Sequence, residues 1–579
     1  MKLFTPSLIR STIPALFLLL CAGISICKAQ QFGGHPPSQR WRQVNTDSIR
    51  IIFPPGLETQ AMEIADISRA LQVQTRGSIG ARGRKISIVL QHQTTSSNGY
   101  VGLGPWRSEF YLTPLQNNFS LGSLPWHKSL ALHEFRHVQQ YSNFRKGVSR
   151  VAHAIFGEQV EALVTSAAVP DYFWEGDAVY QETLMSEQGR GRIPYFYNGY
   201  RSLWAADKKY NWQKLRNGSL RDYVPDHYQL GYLLVAYGRK QFGDSIWAKV
   251  TNDAVRYRGL FYPWQRAIER HTGMNYPTFR SKALADGETS LGGAGDDSLA
   301  IYASGSKHFA GDQLFPVWIG DEEVLMVQSD YKNIPAFVVH NIRTRRTRSI
   351  RKRDIAPDQY YSYRNGKIVY AAYAPDLRWG WRDYSGIRIV DVNSGKQRVI
   401  TIKTKYFSPD ISADGRRIVA VHATADSNAV HLLTVEGSVP VQVVPNPEKL
   451  VFTYPKFMDD PVFIVAAARN LRGEMALVKL RLEDGTMENL TPWSPHVIGY
   501  PLVQGDTITF TASVNGSDAL FALKGDQLYR LNTEALNAAT GNYQLSVRNN
   551  QFSWSAFSAV GYRLQVSSAA PLVRSCAPS

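Results

Sequence analysis

Two grammars divide this chain, and together they predict an α+β half followed by an all-β propeller of five or six blades. Three observations carry that expectation. From about residue 40 to 290, strand-like and helix-like periodicities alternate. After about residue 295, short apolar runs separated by polar turns take over. Finally, Gly320, Gly366, Gly415, Asp460, Gly505 and Asn550 each sit in a polar turn before an apolar run, at intervals of about 45 residues, the spacing of propeller blades. A pair of β-sandwiches is the competing all-β solution.

The expected divisions are a signal peptide over 1–29, a first domain over 30–290 and the propeller over 295–579. Lys2 and Arg10 give a basic start, Ile13 to Ile26 an apolar run, and Cys27-Lys28-Ala29 a small-residue cleavage site, so the mature chain is expected to begin at Gln30. Leu20 before Cys21 and Ile26 before Cys27 disfavour a lipid anchor. No later stretch approaches the roughly 20 apolar residues of a membrane span. The expectation is an exported protein, periplasmic or secreted, without a transmembrane segment in its mature form.

Beyond the signal only Cys576 remains, so no internal disulfide is expected and stability must come from hydrophobic cores. The net charge is +17, but the basic residues are spread along the chain and do not form one run. Nucleic acid is thereby excluded as a partner, whereas a cell-envelope polyanion stays compatible with the basic bias.

Within the first half, Ser48 to Phe53 reads as a strand closed by Pro54-Pro55, Thr59 to Leu71 as a helix, and Lys85 to Leu90 as a second strand. Gly99 to Leu112, rich in glycine and aromatics, is a third strand candidate. Next, residues 133–137 read His-Glu-Phe-Arg-His. Pro125 suits a helix start, and Ala131, Phe135 and Val138 make an apolar stripe. On such a helix His133 and His137 share one face and can bind a single metal ion, with Glu134 beside it as proton acceptor.

Trp174-Glu175-Gly176-Asp177-Ala178-Val179-Tyr180-Gln181-Glu182 follows, and then Asp226-His227-Tyr228-Gln229-Leu230-Gly231. These segments, with the HExxH helix, resemble gluzincin metallopeptidases of the aminopeptidase-N and thermolysin type over about residues 95 to 245. The resemblance implies Zn2+ as cofactor, Glu175 as third ligand, Tyr228 as oxyanion donor with His227 as its substitute, and Gly102-Leu103-Gly104-Pro105-Trp106 as an edge strand for an extended peptide; the residues themselves fit a turn between two strands equally well. Glu182, two helical turns past Glu175, is a candidate to orient a ligand histidine, with Asp177 competing. Arg190 and Arg192, set among glycines, are candidates for a substrate anion.

Three departures stand against the match. Arg136 and Gln139 occupy positions that are normally uncharged or apolar, and a buried Arg136 would need an acidic partner. The interval to Glu175 is long, with Arg145 to Ser166 expected as an inserted helical hairpin. The GxMEN motif that grips a free amino terminus is absent, which leaves endo- or exo-action undecided. In the second half, Phe407 to Val419 resembles the blade motif of Tol-type β-propellers. The function expected is an exported zinc metallopeptidase acting on a peptide or protein substrate, with the propeller open to a protein partner. The alternative is a catalytically inactive cell-envelope binding protein on a peptidase-like scaffold.

Overall fold

The computed structural model describes residues 33–292, 309–437, 439–532, 536, 539–568 and 572–574. The expected signal peptide, Gln30, Cys576 and the boundary near residue 295 lie outside these residues. None of the described helices is long and apolar enough to cross a membrane.

The first half builds a five-stranded mixed sheet in the order β1-β2-β3-β5-β4. Its strands are β1 (Arg42–Asn45), β2 (Ile49–Phe53), β3 (Ile86–Gln91), β4 (Ser97–Gly102) and β5 (Arg107–Leu112). β2, β3 and β5 run parallel, while β1 and β4 are antiparallel edges. Ile49, Ile51, Ile88, Leu90 and Phe110 project from one face and are buried under the Glu58–Gln74 and Trp126–Phe144 helices. Alternation along β2 explains that choice of face: Ile49, Ile51 and Phe53 are buried while Arg50 is exposed. The single strand expected over Gly99 to Leu112 is in fact a hairpin of two strands, because the turn at 103–106 interrupts it.

The described residues between 311 and 574 form six sheets of three to five strands arranged as six propeller blades. Each of the six turn residues singled out above lies between the first and second strands of its blade. The first strands share a device the sequence conceals. In five of them the register slips by a bulge. At each slip stands a left-handed non-glycine residue: Phe315, Ser408, Tyr454, Tyr500 or Gln544. Side chains then latch blade to blade: Asp358 accepts from Ser408 N, Asp410 from Phe457 N, and Gln544 from Phe315 N. The final strand, Leu572–Arg574, returns to the outer edge of the fifth blade.

One loop of the first half seals one end of the propeller axis. Asn118 Nδ2 donates to Thr453 Oγ1 and to the Ile498 carbonyl at 2.8 and 2.9 Å. Tyr454 donates to the Gln116 carbonyl, and Arg469 donates to Asn118 Oδ1 and the Gly122 carbonyl. Phe119 stacks on Tyr500 in the same place. The Trp126–Phe144 helix starts just after this plug, so the propeller fixes the end of the element that carries His133 and His137.

Candidate metal centre

Pro125 caps the Trp126–Phe144 helix, whose Ala131, Phe135 and Val138 are buried in the sheet core. The opposite face turns His133, Glu134 and His137 into a cleft of about 490 Å3. Glu175 enters from the Asp171–Leu184 helix, and Tyr228 from the first turn of the His227–Phe242 helix. That turn is fixed by Asp226, whose side chain accepts from the backbone N–H of Tyr228 and Gln229.

The three proposed ligands converge. His133 Nε2 lies 3.2 Å from Glu175 Oε2, His137 Nε2 lies 3.4 Å from the same oxygen, and the two Nε2 atoms are 3.3 Å apart. The second nitrogen of each ring is already engaged. His137 Nδ1 is 2.8 Å from Gln140 Oε1, and His133 Nδ1 lies between Glu182 Oε2 at 3.0 Å and Arg190 Nη2 at 2.7 Å, so in both rings Nε2 is the nitrogen turned to the Glu175 carboxylate. A positive charge between these three atoms balances the Glu175 carboxylate, a proton on His137 in the metal-free chain or a metal ion in its place. A tetrahedral ion with bonds of about 2.0–2.1 Å would space its ligand atoms by about 3.3 Å, so the residues fit Zn2+.

The surroundings are charged and largely buried. Burial opposes ionisation of Glu175, but the two histidines overcome it and hold its carboxyl well below the usual range. His137 moves the other way: burial works against the imidazolium, yet Glu175 pushes its pKa up to about 9. Glu182, also buried, is brought down to about 2 mainly by Arg190. Arg190 donates from Nε to Glu182 Oε1 at 2.7 Å and from Nη2 to Oε2 at 2.9 Å, and its guanidinium lies over the Tyr228 ring. Glu134 is buried with Oε2 unpartnered, and burial raises its pKa. The Tyr228 ring lies 6.2 Å from that of His133, and its hydroxyl is held protonated by burial and by Glu175. His227 lines the cleft against Tyr228.

Not every candidate reaches the cleft. Asp177 pairs with Arg136 and Arg239 and accepts from Gln140, so it stands one residue further from the metal position than Glu182 does. Arg192 caps the end of the Glu175 helix by donating to the Thr183 and Ser186 carbonyls, which otherwise lack partners. Of the two readings of Gly102 to Trp106, the turn between two strands is the one the structure shows. Gly102 ends β4, while Leu103 and Gly104 belong to the turn beyond it, where Gly104 N donates to Glu158. The strand along the cleft is the preceding stretch, Ser97 to Val101.

Four contributors escaped sequence reasoning. Gln140 orients His137. Gly99 lets β4 rest on the helix face that carries His133, Glu134 and His137, since a Cβ there would stand 2.9 Å from Glu134 Oε1. Gly176 and Gly231 allow the Glu175 and Tyr228 helices to touch, for a Cβ on Gly176 would meet the Gly231 carbonyl carbon at 2.1 Å. Glycines inside helical periodicity, each near a candidate residue, were the available signal. The hairpin expected between Arg145 and Ser166 is present as the Val148–Phe156 and Glu158–Ala168 helices.

No family model and no curated protein matches the chain. Among solved structures it is similar to a puromycin-hydrolysing peptidase of Mycobacterium tuberculosis (11% identity, TM-score 0.32, 48% of this chain and 55% of that one). It is also similar to an acylaminoacyl peptidase of Pyrococcus horikoshii (13%, 0.30, 45% and 46%). A third likeness is to TolB of Acinetobacter baumannii (13%, 0.29, 54% and 71%). The chain thus spans about half the length of the first two. The gluzincin assignment is corrected on these findings: no family model supports it, and the peptidases matched are named for other activities. The metallopeptidase family label falls with it, while the convergence of His133, His137 and Glu175 is a property of this chain's own geometry.

Proposed function

We propose that the chain is a hydrolase of peptide bonds in which His133, His137 and Glu175 hold Zn2+. The observation that carries this is the triangle of ligand atoms, 3.2, 3.3 and 3.4 Å on its sides, with both Nδ1 atoms occupied elsewhere. When bound, the ion supplies Lewis acidity that makes water more acidic and polarises a carbonyl. Glu134, buried and with Oε2 unpartnered, takes the proton from the attacking water and returns it to the leaving amine. Tyr228, protonated at neutral pH, donates to the oxyanion from the opposite side of the cleft. Arg190 neutralises Glu182 and faces the Tyr228 ring, fixing both His133 and the phenol.

A peptide is favoured as substrate because β4 is the sheet edge bordering the cleft, and an extended chain can add to it as a further strand. The test is metal quantification on the purified protein together with a cleavage profile over a mixed peptide library. The proposal expects about one Zn2+ per chain and cleavage abolished in Glu134→Gln. A protein that hydrolyses peptides equally well after the metal is stripped would refute it.

A further inference from the structure

Beside the cleft lies an apolar face that nothing in the proposed chemistry uses. The Val148–Phe156 helix buries Ser149 and Ala152 and turns Val148, Val151 and Ile155 outward, at i, i+3 and i+7. Phe156 at its end is 65% exposed, and Leu163 on the next helix 70%. A second element adjoins: Tyr257 donates to the Val164 carbonyl, and Gly147 packs against Arg256. From there the chain runs into a loop that displays Leu260, Phe261 and Tyr262, each about 70% exposed. Tyr257, Leu260 and Tyr262 all have left-handed backbones, a conformation unfavourable for such residues. A tip of three large apolar side chains held outward at that cost is more than an ordinary surface needs.

Charge identifies the occupant. Lys146, Arg150, Arg256 and Arg266 border this face, and none forms an ion pair among the described residues. Nearby carboxylates are taken internally: Glu158 by Arg84, Glu161 by Arg145, and Asp253 by Arg258 and Arg270, which leaves Glu269. An amphipathic helix and an aromatic tip rimmed by unpaired cations match the boundary of an anionic bilayer, where apolar side chains enter the acyl region and cations meet phosphates. We infer that this face docks the protein on an anionic lipid surface. Ser166, on the second hairpin helix, lines the cleft, so docking holds the cleft at the bilayer.

The experiment is co-sedimentation of the full protein with vesicles of phosphatidylglycerol and phosphatidylcholine, or of phosphatidylcholine alone, at about 0.1 M and about 0.5 M salt. The protein is expected to sediment with the anionic vesicles, on the order of tenfold more weakly at the higher salt, and to ignore the neutral ones. The tip variant Leu260→Asn/Phe261→Ser/Tyr262→Asn places polar residues, two of them more tolerant of left-handed backbone, and is expected to lose about tenfold or more in partitioning with no change in thermal unfolding. Arg150→Glu/Arg256→Glu is expected to lose a similar factor on anionic vesicles. Equal sedimentation with both vesicle types, or a tip variant that sediments like the parent, would overturn the inference. So would self-association of the parent protein in sedimentation velocity that the tip variant abolishes, since the face would then be an interface between copies. Neither readout depends on hydrolysis, so this inference and the proposed activity fail separately.

Discussion

Arg136 and Asp177 clamp together the two helices that carry His133, His137 and Glu175, with Arg136 Nε and Nη2 meeting the two carboxylate oxygens at 2.7 and 3.0 Å in a fully buried pair. Arg136 lies between the two histidines of its helix, and Asp177 two residues after Glu175. The pair therefore sets the distance across which the ligands meet. Ser78 and Gln139 accept from the remaining guanidinium nitrogen, so the charge is fully solvated by protein. Arg136→Met leaves Asp177 buried with Gln140 and one cation, Arg239, and removing one partner of a buried pair costs about 3–5 kcal/mol. Urea unfolding followed by circular dichroism checks this; a loss of less than about 1 kcal/mol would mean the pair is not the clamp.

Glu134→Gln separates metal binding from turnover. Glutamine keeps the volume against Gly99 but cannot take a proton, so bound metal is expected to stay at parent level while kcat falls by about 100-fold or more. His133→Ala and Glu175→Gln should instead lose the metal along with the activity. Metal content by mass spectrometry beside a peptide assay distinguishes the two behaviours, and a Glu134→Gln protein devoid of metal would move Glu134 from catalysis to coordination.

Metal uptake should release protons. In the metal-free chain, Glu175 pushes His137 up to about 9, so its imidazole is protonated at neutral pH, while the ion requires it neutral. Each ion bound at neutral pH therefore displaces at least one proton, and apparent affinity is expected to rise with pH until about 9 and then level off. Calorimetry of Zn2+ binding in buffers of different ionisation enthalpy measures the number directly. A heat of binding independent of the buffer would show that His137 is neutral before the ion arrives.

The site was more legible in sequence than the scaffold that aligns it, and the reason is physical. His133, Glu134 and His137 are close in sequence, so one helical turn brings them together, and period alone exposes them. The blades were legible through turns, where Gly366, Gly415 and Gly505 need positive φ. The inner-strand bulge was not, because Phe315, Ser408, Tyr454, Tyr500 and Gln544 reach one backbone geometry with unrelated side chains held by different partners. Between an edge strand and a turn for Gly102 to Trp106 the residues did not decide, for a similar reason. Glycines at Gly102 and Gly104 suggested close approach to a peptide, but the residue that needs to be small is Gly99, and only the packing of Glu134 against β4 reveals it.

Gly231 sets the last relationship on which the site depends, the separation of the Glu175 and Tyr228 helices. A Cβ there would lie 1.7 Å from the Tyr172 carbonyl oxygen, and the neighbouring contact with Gly176 is backbone to backbone, so no rotamer change can relieve it. Gly231→Ala must push the helices apart. Overpacking of this kind costs about 1–3 kcal/mol, and the displacement carries Tyr228, three residues earlier on the same helix, away from Glu175. The expected signature is a fall in kcat together with a lowered unfolding midpoint, while metal content stays near one because His133 and His137 sit on a different helix and Glu175 remains tied to them. Should the alanine variant keep both parental stability and parental kcat, the close crossing would be incidental, and Tyr228 would lose its assigned place opposite the metal position.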